Sequence, residues 1–164
     1  MNELDEHNEN QVQKMPSINH SYIQSRLILS FGDGDQFTTF TELSLDADLS
    51  QFGLKTKDEL IPDICLYEGI YQFEPRKDLT KRTDMPMLVV EILSPNQGMS
   101  DIMTKFDADF ALGIKSCWLV IPTNKTVTIY SQNDFETFGD KDDEIIDKSL
   151  GIHIPTKKVW GIRQ

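Results

Sequence analysis

Between Ser17 and Phe31 the apolar side chains Ile23, Leu27 and Phe31 fall four residues apart. That spacing predicts an amphipathic helix, with Ser17 or Asn19 as its N-cap. Gly32-Asp33-Gly34-Asp35 stops it in a turn. The stretch Thr38–Leu45 is rich in β-branched and aromatic residues and predicts one strand. Asp46 to Glu59 reads as a polar connection. Two short apolar runs, Ile61–Tyr67 and Met87–Ser94, predict strands separated by a charged loop from Glu68 to Asp84. A second helix is expected from Ser100 to Leu112, with Ser100 as N-cap, Gly113 as stop, and Ile102, Phe106 and Phe110 facing the core.

Ser116–Ile121 is an apolar run of the kind found at the centre of a sheet. Pro122-Thr123-Asn124-Lys125 turns the chain into Thr126–Tyr130, which completes a hairpin. Asp134 to Asp147 is an acidic excursion with seven Asp or Glu. Gly151–Ile154 is the last strand-like piece, and Val159-Trp160 is expected to close the fold as a latch. The order of helix, three strands, helix and further strands implies an α/β (α+β) architecture, a mixed central sheet flanked by helices.

The chain has 164 residues, enough for one sizeable core and too few for two ordinary domains. Residues 1–15 are acidic and Asn/Gln-rich and are expected to be a disordered tail. Residues 16–164 are expected to form a single domain. No apolar run reaches the length of a membrane span, and Met1–Lys14 has no signal-peptide core, so a cytoplasmic protein is the expectation. Cys65 and Cys117 lie in core strands without CxxC spacing and read as buried free thiols. His7, His20 and His153 show no zinc-ligand spacing. A net charge of -11 argues against a broad phosphate-binding face. The densest basic patch, Arg76-Lys77 with Lys81-Arg82, is interrupted by Asp78 and flanked by Glu74 and Asp84, so it reads as a solvated loop.

Candidate chemistry lies in two acids inside the paired apolar runs. An acid in an apolar strand is costly unless it is paired, protonated or bound to a cation. Strand alternation puts Asp63 on the face of Cys65 and Tyr67, and Glu91 on the face of Val89 and Leu93. If the strands are neighbours, both carboxylates reach one site at the strand ends. Two acids at close range need a cation between them. Magnesium prefers such oxygen donors, with the backbone carbonyl of Ile92 as a further candidate ligand and waters completing the shell. Lys105 is the third element, because the helix that carries it starts soon after the Glu91 strand. Structural readings stand beside these. Asp63 after Pro62 fits a turn-capping acid, and Asp101, Lys105 and Asp109 fit a surface ion-pair ladder. Glu42, Gln24 and His20 are within sequence reach of the site, with the surface or capping reading favoured for each.

Pro62-Asp63-Ile64-Cys65, Val89-Val90-Glu91-Ile92-Leu93-Ser94-Pro95, Asp101…Lys105 and Gly113-Ile114…Trp118-Leu119-Val120…Pro122 stand in a fixed order. Over roughly Asn19 to Tyr130 these blocks resemble the bacterial "putative restriction endonuclease" family, expanded in cyanobacteria, of the PD-(D/E)XK nuclease superfamily. The resemblance implies a restriction-endonuclease-like core. It makes Asp63 and Glu91 the metal-binding acids, with Mg (or Mn) as cofactor. The superfamily's usual lysine position, two residues after Glu91, holds Leu93 here, and the resemblance moves its role to Lys105 on the following helix. Three positions depart from the family pattern: Asp109 in place of a tyrosine, Ser116 in place of a glutamate, and Ile121 in place of an acid before Pro122.

The expected function is therefore a metal-dependent endonuclease with catalytic Asp63, Glu91 and Lys105. Its expected substrate is nucleic acid, DNA first, and by analogy it is expected to act as a homodimer. The alternative is a catalytically weak or inactive binding or assembly module on the nuclease fold, motivated by the acidic charge and the three departures.

Overall fold

The computed structural model of the protein describes residues 15–32, 35–54 and 59–161. All of the expected N-terminal tail but Met15, Asp33-Gly34 of the first turn and residues 55–58 of the polar connection lie outside them. Helix α1 (Ile18–Ser30) starts at Ser17, whose side chain accepts the His20 backbone N–H. This is one of the two caps the sequence offered. Ile23 and Leu27 are buried as the four-residue spacing requires, and Phe31 caps the helix while packing against Trp118.

The strand expected over Thr38–Leu45 is instead two strands, β1 (Phe37–Thr41) and β2 (Ser44–Asp46). Between them Glu42 takes a φ of 52°, a left-handed conformation that turns the chain out of one sheet and into another. The polar connection also holds more structure than its composition indicated. A short 3-10 turn (Ser50–Phe52) follows the fully buried Leu49, and β3 (Glu59–Leu60) pairs antiparallel with β2. The chain then forms β4 (Ile64–Glu68), β5 (Lys81–Arg82) inside the charged loop, and β6 (Leu88–Ile92).

Helix α2 (Met99–Ala111) begins one residue before the expected start. Its N-cap is Gly98, not Ser100, and no side chain caps it. β7 (Ser116–Ile121) and β8 (Thr126–Tyr130) form the expected hairpin across the turn at Pro122–Asn124. The acidic excursion is corrected to two strands, β9 (Phe135–Gly139) and β10 (Glu144–Asp147). β11 (Ile152–Pro155) pairs with β10, and α3 (Thr156–Trp160) closes the fold. The latch is fastened by Arg26, which donates from Nε to the Lys158 carbonyl at 2.6 Å.

The principal sheet has the order β1-β4-β6-β7-β8-β9, and only β6 and β7 run parallel, joined through α2. A parallel pair needs such a crossover, whereas hairpins serve the antiparallel pairs. β7 is central, as its apolar run predicted. Side-chain alternation divides the core in two. Ile64, Leu66, Val90, Ile92, Trp118 and Val120 face α1, α3 and the β10–β11 ribbon. Cys65, Tyr67, Val89, Cys117 and Leu119 face α2 through Ile102 and Phe106. A smaller cluster of Leu45, Leu49 and Leu60 packs the β3-β2-β5 sheet onto Ala108 of α2. Glu91, on the face of Val89, therefore lies on the α2 side of the principal sheet, and Asp63 sits at the sheet's rim just before β4.

Candidate functional site

Ile64 stands opposite Val90 and Cys65 opposite Val89 in the β4–β6 ladder. The same antiparallel register, continued by one residue, sets Asp63 across from Glu91. Pro62 precedes Asp63 and lacks an N–H, so the strand begins only after it. The acid therefore sits on the rim of the sheet, where three segments converge on it. Asp63 Oδ2 accepts the Ile92 backbone N–H at 2.7 Å. Its carbonyl accepts from Gln24 Nε2 at 2.8 Å and from the Glu42 backbone N–H at 3.3 Å. Asp63 Oδ1 lies 3.1 Å from His20 Nε2. The turn-capping reading of Asp63 thus gives way to a carboxylate held by α1 and β6.

The surface or capping reading favoured for His20 and Gln24 is corrected by these contacts. His20 does donate its backbone N–H to the Ser17 cap, but its imidazole is 5% exposed and faces Asp63. The hydrogen bond to Asp63 raises the His20 pKa against the opposing effect of burial, and the charges of Asp63 and Glu42 add to the rise. A protonated His20 donates to Asp63 from Nε2, while its buried Nδ1 has no hydrogen-bond partner among the described residues. The Glu42 side chain itself is exposed, as expected, and reaches the site through its charge, beside the backbone N–H given to Asp63.

Glu91 is 5% exposed, and among the described residues no hydrogen-bond or ion-pair partner meets its carboxyl group. Burial pushes its pKa up to about 8; Lys105 opposes the rise, and the nearby negative charges of Asp63 and Asp109 add to it. An apolar environment disfavours the charged form, and like charges do the same. Lys105 is half-buried on α2 and forms no ion pair within 4 Å among the described residues, so it acts on Glu91 through space.

Asp109 does not belong to a surface ladder. Asp101 is exposed, but Asp109, two turns on, is 3% exposed under the helix. Its Oδ2 accepts from the Cys117 thiol at 3.9 Å. Burial pushes its pKa up to about 8 as well, opposed by Lys105 and by the thiol hydrogen bond. One lysine therefore faces two buried acids.

Of the other two departures from the family pattern, Ser116 has a structural use. Its hydroxyl donates to Asp147 Oδ2 at 2.5 Å, and Trp118 Nε1 donates to the same oxygen at 2.8 Å. Asp147 is 1% exposed, and its other oxygen accepts from Ser149 N–H and hydroxyl at 3.0 and 2.6 Å. This anchor, on the opposite face of the sheet, was invisible within the acidic run. Ile121 is half-buried at the end of β7 and brings no polar group to the site.

The donor set fits a hard divalent cation. Two carboxylates lie at the β4–β6 strand ends, and Glu91 is buried with no partner among the described residues, so a cation there would take the place of the proton that burial otherwise holds on it. Among the described residues no three His, Cys, Asp or Glu side chains form a metal-binding group. Asp63 and Glu91 would thus need main-chain oxygen, with Ile92 as the sequence-derived candidate, and water. That balance suits Mg²⁺ or Mn²⁺ rather than a thiolate or imidazole metal.

Among the described residues no helix is long and apolar enough to cross a membrane. No curated protein matches the chain. Its structure is similar to the crystal structure of a "putative nuclease belonging to DUF820" from Anabaena variabilis ATCC 29413. The two share 25% sequence identity over 89% of this chain and 82% of that one, with a TM-score of 0.67. Residues 3–155 match the Uma2 family, described as "Putative restriction endonuclease". With nearly the whole sequence inside that match, the chain belongs to the Uma2 family.

Proposed function

We propose that the protein is a divalent-cation-dependent endonuclease that hydrolyses phosphodiester bonds of nucleic acid, with DNA as the expected substrate. One observation carries this reading: Glu91, buried and without a partner among the described residues, stands opposite Asp63 in the antiparallel β4–β6 register, and the Asp63 carboxylate is already fixed by Ile92 and His20. Family membership adds the reaction class. Asp63, Glu91 and the Ile92 carbonyl would hold Mg²⁺ or Mn²⁺, which when bound supplies an acidified water and neutralises phosphate charge.

The chain's own residues do the rest. Asp63 keeps one orientation because its two oxygens meet donors from α1 and β6. His20 holds a proton at Nε2 on Asp63 and so opposes rotation of the carboxylate. Lys105 offers an ammonium group at the same face, where it can orient the attacking water or stabilise charge on the phosphate oxygens. The apolar floor of Val89 and Leu119 keeps bulk water from beneath the acids.

A second reading, a binding module with little or no activity, rests on Asp109. A second buried acid facing Lys105 competes with the site for the lysine's charge. One comparison separates the two. Supercoiled plasmid and single-stranded DNA are incubated with wild type, Glu91→Ala and Asp109→Asn in magnesium, manganese and chelator. Metal-dependent cleavage by wild type that Glu91→Ala abolishes supports the nuclease. Equal cleavage by wild type and Glu91→Ala sinks it, and cleavage seen only with Asp109→Asn favours the module.

A further inference from the structure

Two clefts that share Gln97 flank the site. The first, of about 430 Å³, is lined by Leu60, Ile61, Asp101, Thr104, Lys105 and Gln97, so the lysine that faces Glu91 also forms part of its wall. The second, of about 480 Å³, lies beyond the ends of β6 and β7 and is lined by Ser17, Asn19, Leu93, Ser94, Thr123 and, again, Gln97. Gln97, in the turn that leaves β6, is common to both. Each volume falls in the range of about 300–1,000 Å³ that holds a compact organic ligand.

We propose that these clefts take unpaired bases on either side of the scissile phosphate, so that the substrate class is single-stranded or locally unpaired nucleic acid. The inference rests on the nuclease reading and deepens it. Continuity is the first argument. Lys105 joins the first cleft to the acids, and Leu93 and Ser94 join the second to the strand that carries Glu91 and Ile92.

Chemistry is the second argument. The first cleft offers Leu60 and Ile61 to the flat face of a base. Its polar groups are the Gln97 amide, the Thr104 hydroxyl, the carboxylates of Glu59 and the exposed Asp101, and a single lysine. A carboxylate repels backbone phosphate but accepts from the exocyclic amino group of a base. Unpaired bases are read in this manner, through their edges and faces.

Charge is the third argument. Duplex tracking depends on cations that neutralise many phosphates. This chain has a net charge of -11. In its densest basic segment, Lys77 pairs with Glu74, Lys81 with Glu59 and Arg82 with Asp84. Base contacts are thus a more available source of affinity than a phosphate track. Bases in an intact duplex are stacked and paired, and drawing one into a lateral cleft carries an unstacking and unpairing penalty that an already unpaired base does not incur.

The test measures binding and cleavage separately. Binding of a labelled mixed-sequence single strand and of its matched duplex is followed by fluorescence anisotropy in magnesium. The protein is the full chain carrying Glu91→Gln, a residue outside both clefts. Thr104→Trp and Thr123→Trp fill one cleft each from exposed or half-buried positions, and Gln97→Ala trims the residue common to both. Thermal melting checks each fold, and Gln97→Ala is a truncation that keeps the test alive if either tryptophan disturbs folding.

The single strand is expected to bind about tenfold tighter than the duplex or better, and each variant is expected to weaken single-strand binding by about tenfold. Duplex binding should stay unchanged. A duplex bound as tightly as the single strand overturns the inference, as does single-strand binding indifferent to all three variants. The parallel cleavage assay with Glu91 intact keeps the two failures apart. Duplex cleavage unaffected by filling the clefts overturns this inference and leaves the nuclease standing. Cleft-dependent single-strand binding by a protein that cuts nothing overturns the nuclease and leaves the clefts as a base-binding site.

Discussion

His20 and Asp63, forty-three positions apart in sequence, meet at 3.1 Å between Nε2 and Oδ1. The first turn of α1 is thereby fixed to the rim of the principal sheet, and one side of Asp63 is set by a residue from the far face. Removing the imidazole leaves the carboxylate short of a charged donor in a half-buried position. His20→Ala is expected to lower stability by about 1–3 kcal/mol, read from urea unfolding. Plasmid cleavage should fall further than that loss explains, because Asp63 is then free to rotate. Equal activity at equal folded fraction would remove His20 from the site.

A cation that binds only the folded protein must raise its melting temperature. Magnesium or manganese at 100 times its dissociation constant is expected to stabilise the protein by about 2.7 kcal/mol. Glu91→Gln keeps the side-chain shape and loses the charge, so the shift should disappear. Differential scanning calorimetry with and without chelator makes the comparison. A shift that survives in Glu91→Gln places the metal elsewhere.

The acids facing Lys105 make stability depend on pH in a predictable sense. Asp109 and Glu91 have pKa values pushed up to about 8 by burial, from ordinary values of 3.8 and 4.5. Between those limits the native state holds protons that the unfolded chain has released. Stability gained from them is therefore complete at acid pH and is lost as pH rises toward 8. His20, with a raised pKa, acts in the same sense. Melting temperature without metal should fall from pH 5 to pH 8. Each retained proton steepens the slope by at most about 1.4 kcal/mol per pH unit. Asp109→Asn should flatten this slope and raise the melting point at pH 8. An unchanged slope would show Asp109 ionised in the native protein.

Asp147 binds four residues of the fold at once. Its two oxygens accept from Ser116, Trp118, Ser149 and the Leu150 backbone N–H, all at hydrogen-bond distance in a buried place. Asp147→Ala leaves the Trp118 indole N–H and the Ser116 hydroxyl without acceptors. A loss of about 3–5 kcal/mol is expected, with a change in tryptophan emission. Ser116→Ala removes a single donor and should cost about 1 kcal/mol. Similar losses from both would mean that Asp147 is not the common anchor.

What was legible in the sequence was local and periodic. Ile23 and Leu27 announced the buried face of α1, and the apolar run at 116–121 announced the centre of the sheet. The break at Glu42 carried no signal because neither glycine nor proline marks it. A glutamate takes the left-handed turn where the chain changes sheets. Leu49 is fully buried inside a connection whose average composition is polar, because with Leu45 and Leu60 it seats the small sheet on α2. Asp109 looked like a solvated acid because it falls four residues from Lys105, and Asp147 because it ends an acidic run, while their burial comes from elements that pack over them.

The same limit applied to the candidate site. Asp63 and Glu91 were singled out because an acid in an apolar strand is conspicuous within a few residues. His20 and Gln24 could not be, since their partner is fixed by how α1 docks, and nothing in their own stretch of sequence encodes it. The glycine cap of α2 shows the same effect on a smaller scale. Ser100 has the better capping chemistry, yet the helix begins at Met99 with Gly98 as its cap.

Cys65, Val89 and Cys117 lie in one transverse row across β4, β6 and β7, each opposite the next. Two strand spacings, about 9.5 Å, separate the thiols. That exceeds the roughly 7 Å over which two cysteines can be bridged. Burial raises both thiol pKa values, that of Cys65 to about 12, so neither is a nucleophile while the sheet is closed. The row is therefore a chemical clock fitted into the centre of the molecule. The rate at which a thiol reagent consumes the two sulfurs counts how often the three central strands part.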